Sequence, residues 1–175
     1  MNEQKHLFGE RDKFAIEIEQ GITGIKGYMK LWFLGASIGD NKRQSEFIHA
    51  IFDCRKLIKT SPLLYEDCFE NMTVEQIWEY VLPEDLIWSE KQEDLQEATR
   101  RQIYIRFLGD QFDEICSFIS FVKDDIITWA ISFSKRHKSE YKSYKINLKD
   151  YKKAASEFTT WFNSNLADRY PSYVK

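Results

Sequence analysis

The stretch from Gln102 to Phe133 does most to limit what this 175-residue chain can become. It reads as three strands. In Gln102–Phe107, Ile103, Ile105 and Phe107 alternate with Gln102, Tyr104 and Arg106, the period-two pattern of a strand with one buried face. After Gly109-Asp110 comes the apolar run Ile115–Val122, then the polar break Lys123-Asp124-Asp125, then Ile126–Phe133. Two apolar runs joined by a short Asp-rich turn form an antiparallel hairpin. The rest of the chain must cover this sheet.

The remaining segments supply the cover. Residues 1–12 are polar and read as loose. Lys13–Glu19 alternates, with Phe14, Ile16 and Ile18 on one face and Ala15, Glu17 and Glu19 on the other. Gly21, Gly24 and Gly27 punctuate a loop before a second strand, Tyr28–Leu34, which pairs with the first. Residues 35–40 are a turn with a short return. Asp40 is a candidate cap for a helix whose inner face holds Phe47, Ile48, Ile51, Phe52, Arg55 and Ile58. Ser61-Pro62 starts another helix, with Leu64, Cys68 and Phe69 inward. Thr73-Val74-Glu75-Gln76 matches a capping box, followed by the stripe Val74, Ile77, Trp78, Val81 and Leu82, and Pro83 stops it. Glu84–Thr99 fits an irregular segment or a poorly anchored helix. Lys135–Lys145 is a basic connector, and Tyr144, Ile146 and Leu148 mark a last strand. A closing helix from Lys149 to Ala167 turns Tyr151, Ala155, Phe158, Phe162 and Leu166 inward, with Trp161 beside them. Strands, helices, strands, helix is the order of an α+β chain with a largely antiparallel sheet, and the length suits one domain over residues 1–175.

Charge is divided along the chain. The net charge of −3 hides it. Between Ser61 and Thr99, eleven acids oppose Lys91 alone, a balance of −10. From Ser134 to Lys175, ten bases face four acids, a balance of +6. An acidic middle suits a basic partner, because such a field speeds encounter and selects among partners. It equally suits a solvated face, or internal pairing of the acidic and basic segments. Within it, Trp88 with Leu86 and Ile87 forms an apolar knot flanked by carboxylates, the composition of an interface anchor and also of a packed loop.

Catalytic signatures are missing. His6, His49 and His137 have no metal-ligand spacing, and there is no GxSxG elbow or Walker loop. Asp110, Asp113 and Glu114 cluster after a strand, where they could hold magnesium for a hydrolase or simply bond a turn. Cys54, Cys68 and Cys116 sit among apolar neighbours and read as buried thiols. No apolar run is long enough for a bilayer, and Met1 to His6 lacks a signal-peptide core, so the expectation is a cytoplasmic protein.

One resemblance adds to this. Phe8-Gly9-Glu10-Arg11-Asp12-Lys13-Phe14-Ala15-Ile16-Glu17-Ile18-Glu19 and Gly27-Tyr28-Met29-Lys30-Leu31-Trp32-Phe33-Leu34-Gly35-Ala36-Ser37-Ile38-Gly39-Asp40 resemble small immunity proteins of bacterial polymorphic toxin systems, including contact-dependent growth inhibition. Immunity family forty-two is the group they most look like. The likeness extends more weakly to Phe107–Phe133 and the closing helix. It implies a cytoplasmic, non-enzymatic protein that binds and blocks a cognate toxin C-terminal domain, such as a basic nuclease. No cofactor, metal, direct nucleic-acid contact or membrane is expected. Glu84, Asp85, Trp88, Glu90, Glu93, Asp94 and Glu97 are the candidate partner-binding residues. The alternatives are a cytoplasmic adaptor domain and, less favoured, a metal-dependent hydrolase.

Overall fold

The computed structural model describes residues 4–22, 24–40, 42–83, 89–113, 115–133 and 139–170. The chain is α+β with antiparallel pairing throughout, as expected, but the strands divide into two sheets. The first holds β1 (Lys5–Glu10), β2 (Phe14–Gln20), β3 (Lys26–Phe33) and β4 (Ala36–Ile38) in that order, with the short β5 (Ser45–Glu46) also on β3. The second holds β6 (Ile105–Arg106), β7 (Cys116–Lys123), β8 (Ile126–Phe133) and β9 (Glu140–Asn147). Helices α1 (Phe47–Thr60), α2 (Val74–Val81) and α3 (Gln92–Arg101) fall between the sheets in sequence, and α4 (Leu148–Asn165) follows the second.

The first sheet follows from side-chain alternation. Phe14 lies opposite Phe33, Ile16 opposite Leu31 and Ile18 opposite Met29, which makes one face apolar and buried. The other face pairs Glu17 with Lys30 and carries the Lys5–Glu19 and Arg11–Glu17 ion pairs. Residues 5–10 are not loose. They form β1 along β2, with Phe8 inward and His6 against the Trp161 ring at 5.0 Å. Gly9 permits this: its φ is +86°, and a Cβ there would stand 2.8 Å from that of Ala154 on α4. Gly27 belongs to β3 rather than to the preceding loop.

The apolar face meets α4 and the second sheet. Phe14, Phe33 and Phe118 pack around Trp129, which also touches Tyr151 of α4. A buried ring of this size contributes about 1.5–3 kcal/mol relative to an exposed one. The hairpin turn between β7 and β8 has Asp124 at φ 48° and Asp125 at φ 59°, both left-handed, as a twisted two-residue turn requires. The Asp125 carbonyl then accepts from Leu148 N at 2.7 Å, and Asn147 caps α4 through its side chain, so turn and closing helix are fixed together.

Several local expectations fail, each for a physical reason. Asp40 does not cap α1; its carboxylate accepts from Lys42 N in a turn, and β5 intervenes. The buried stripe of α1 includes Asp53, Cys54 and Leu57, while Phe52 is exposed. Ser61-Pro62 opens only a single 3₁₀ turn, Ser61–Leu63; Leu64 and Phe69 are buried, but the Cys68 thiol is exposed. The predicted Gln102–Phe107 strand is mostly a 3₁₀ turn, with two residues in β6, and its faces are inverted: Tyr104 and Arg106 are buried and Phe107 is exposed. The basic connector gives way to a strand, since β9 begins at Glu140; residues 134–138 lie outside those described. By contrast, the Thr73–Gln76 capping box and the inward face of α4 stand as expected.

Candidate partner-binding surface

The second sheet is covered on both faces. Phe118, Trp129 and Ile146 look toward the first sheet and α4, while Phe121, Thr128 and Ala130 look toward the segment from Tyr65 to Val81. That segment and α3 make up the acidic middle of the chain. Aromatic rings anchor it: Phe69 meets Tyr65, Tyr80, Tyr104 and Phe121 within 6.2 Å.

Helix α3 is attached differently. None of its residues is buried. Its hold on the protein is a clasp of charges at its C-terminal end, where cations also suit the helix dipole. Arg100 donates to Glu66 and twice to Glu97, each at 2.7 Å, and to the Tyr80 hydroxyl at 3.2 Å. Arg101 donates to Glu97, hydrogen-bonds the Tyr80 carbonyl and lies 4.0 Å from the centre of the Tyr80 ring. Tyr104 donates to Glu66 at 3.0 Å, and the Tyr80 hydroxyl also reaches it. Hydrogen bonds from Arg100 and Arg101 hold the Glu97 carboxyl down at about 2. For Glu66, burial works upward, but the bonds from Arg100, Tyr80 and Tyr104 outweigh it and its pKa falls.

The predicted contact residues separate on this geometry. Glu84, Asp85 and Trp88 lie outside the described residues. Asp94 accepts from the Ser89 hydroxyl and Glu97 is committed to the clasp. Glu90 and Glu93 are exposed, with no ion-pair partner among the described residues. Part of the acidic charge is therefore paired internally, through Arg100, Arg101 and Lys123. Arg100 and Arg101 stand immediately after the acidic run, and their spacing from Glu97 is the signal that a boundary at Thr99 passed over.

Other candidates are less promising. Asp110 and Asp113 are bound up in consecutive turns, with Asp113 N donating to the Asp110 carbonyl; Glu114 is outside the described residues. Among the described residues, no group of three or more His, Cys, Asp or Glu side chains is placed to hold a metal ion. None of the described helices is long and apolar enough to cross a membrane.

No family model matches the chain, and no curated protein matches it. Among solved structures, the chain is similar to CdiI from Burkholderia dolosa AUO158. The superposition covers 89% of this chain and 99% of that one, with a TM-score of 0.65 at 11% identity. At that identity the likeness is one of fold.

Proposed function

We propose that this chain is an immunity protein that binds and neutralises a cognate bacterial toxin domain. The observation that carries the proposal is the fold it shares with CdiI, an immunity protein of contact-dependent growth inhibition, over nearly the whole of that chain. Its N-terminal strand-and-turn residues resemble such proteins independently. The toxin is a nuclease in this proposal. A nuclease must neutralise phosphates with its own basic residues, and the exposed carboxylates of Glu90 and Glu93, just before and at the start of α3, complement such a surface. Binding there blocks the active site. Glu84, Asp85, Trp88, Glu90, Glu93, Asp94 and Glu97 remain the proposed contacts, with Glu90 and Glu93 offering the unmatched charges.

The test is rescue. The toxic domain encoded immediately upstream is expressed with and without this protein, and growth is followed. Restored growth together with co-purification of the two chains is the expected result. Continued arrest with no co-purification would overturn the proposal.

A further inference from the structure

Between the Tyr65–Ile77 cover and the outer face of the second sheet lies a pocket of about 520 Å³. Its sheet wall follows strictly from register. Phe121 and Lys123 on β7, Ile126, Thr128 and Ala130 on β8, and Ser143 and Lys145 on β9 all point to the same side. The opposite wall is Tyr65, Phe69, Met72, Val74 and Ile77. A cleft of this volume, lined by aromatic and aliphatic groups with a few polar ones, is of the size that holds a small molecule.

The charges at its rim are unequal. Lys123 is matched: it pairs with Glu70 and stands 4.9 Å over the Tyr65 ring, so it closes one wall. Asp124 belongs to the left-handed hairpin turn at that end. Lys145 is exposed and has no carboxylate partner among the described residues. Cross-strand, it faces Thr128, and Ser143 faces Ala130, so an ammonium and two hydroxyls border an apolar floor. We propose that this pocket binds a small amphipathic anion, with a flat apolar body against Phe121, Ile126 and Ile77 and a carboxylate or similar group on Lys145. Such a ligand would bridge the helical cover to the sheet and stabilise both by mass action. Its chemistry is independent of α3, so the test does not involve the toxin.

Two dyes with a shared ring system serve as probes: 8-anilino-1-naphthalenesulfonate, an anion, and uncharged N-phenyl-1-naphthylamine. Fluorescence titration of the full native chain should show one saturable site for the sulfonate. Lys145→Glu should weaken the sulfonate about tenfold and leave the neutral dye nearly unchanged, since only one charge has been reversed at a solvated rim. Ser143→Trp, at an exposed strand position where Trp is tolerated, should fill the cleft and remove both dyes. Circular dichroism and the thermal midpoint confirm that each variant is folded. Absence of a saturable site, unaltered binding in Ser143→Trp, or an equal loss of both dyes or no loss of the sulfonate in Lys145→Glu would each overturn the proposal.

Discussion

Two arginine–carboxylate clusters in this protein are built on opposite terms. Arg100 is half exposed and bonds Glu66 and Glu97 at 2.7 Å. Arg106 has a fully buried side chain, yet its nearest carboxylate, Asp53, is 3.8 Å away. Its Nε donates to the Tyr104 carbonyl at 3.2 Å, while both terminal nitrogens are without a hydrogen-bond partner among the described residues. Asp53 accepts one bond from Phe107 N at 3.3 Å, and the Cys54 thiol and Tyr151 hydroxyl are buried beside the pair. Good geometry thus coincides with high dielectric, where it is worth little, and loose geometry with low dielectric, where desolvation costs most. The clasp positions a helix cheaply and reversibly. The buried pair makes the α1–β6 junction intolerant of change.

The largest expected effect follows from that intolerance. Arg106→Met leaves the buried Asp53 carboxylate without its counter-charge and should cost about 3–5 kcal/mol in urea unfolding at neutral pH. Replacing both partners by apolar groups, Asp53→Leu with Arg106→Met, should recover most of this loss, because neither desolvated charge then remains. A double variant as unstable as Arg106→Met would mean that the pair is net favourable.

The two clusters should also respond oppositely to pH. Burial pushes the Asp53 carboxyl up from 3.8 to about 6, against the pull of Arg106. Between those values the native state holds a proton that the unfolded chain has released, so global stability should fall as pH rises from about 4 to 6. That slope should vanish in Asp53→Asn. Glu97 is held down at about 2 by Arg100 and Arg101, against an ordinary 4.5. The contribution of the clasp is therefore complete above 4.5 and lost as pH falls toward 2. Amide exchange should show α3 loosening on acidification through a window in which the α1–β6 junction does not. Arg100→Ala imitates that loss at neutral pH. With the arginine half exposed, its effect on global stability should be about 1 kcal/mol or less, while exchange in α3 rises. Equal protection of α3 in wild type and variant would show that the clasp is not what holds it.

The same contrast explains what the sequence could reveal. Sheet pairing in Phe14–Phe33 is legible because one face is polar: Ile16 and Ile18 alternate with Glu17 and Glu19, and register follows. In β7 and β8 both faces are covered, so the runs are apolar throughout and announce strands without saying which side meets what. Ile103, Ile105 and Phe107 mislead for a related reason. Tyr104 and Arg106 read as polar, but the tyrosine ring packs on Phe69 and the arginine reaches Asp53, so the amphipathic side chains are the buried ones. Strand β1 was hidden in polar residues because its anchors, Phe8 and the close approach at Gly9, depend on α4, far away in sequence. Nothing within Gln92–Arg101 has an apolar stripe, so the attachment of α3 depends on Glu66 and Tyr80, which only the fold brings near. The acidic surface was legible as composition; which of its charges are spent internally was not.

That division sets the smallest expected effect on stability and the sharpest on function. Glu90 and Glu93 take no part in either cluster, so Glu90→Lys with Glu93→Lys should alter unfolding free energy by no more than about 0.5 kcal/mol. In the proposed complex they act through the field that they project. Against the toxin domain proposed as the partner, the double reversal should weaken binding and change its dependence on salt, mainly through slower association. Glu97→Lys should weaken binding too, but with exchange in α3 increased, because it breaks the clasp as well as reversing a charge. If Glu97→Lys disrupts binding and the Glu90/Glu93 reversal does not, the toxin reads the placement of α3 rather than its charge. If neither changes affinity or salt dependence while rescue persists, the interface lies elsewhere on the molecule, and the exposed face of the first sheet becomes the next surface to reverse.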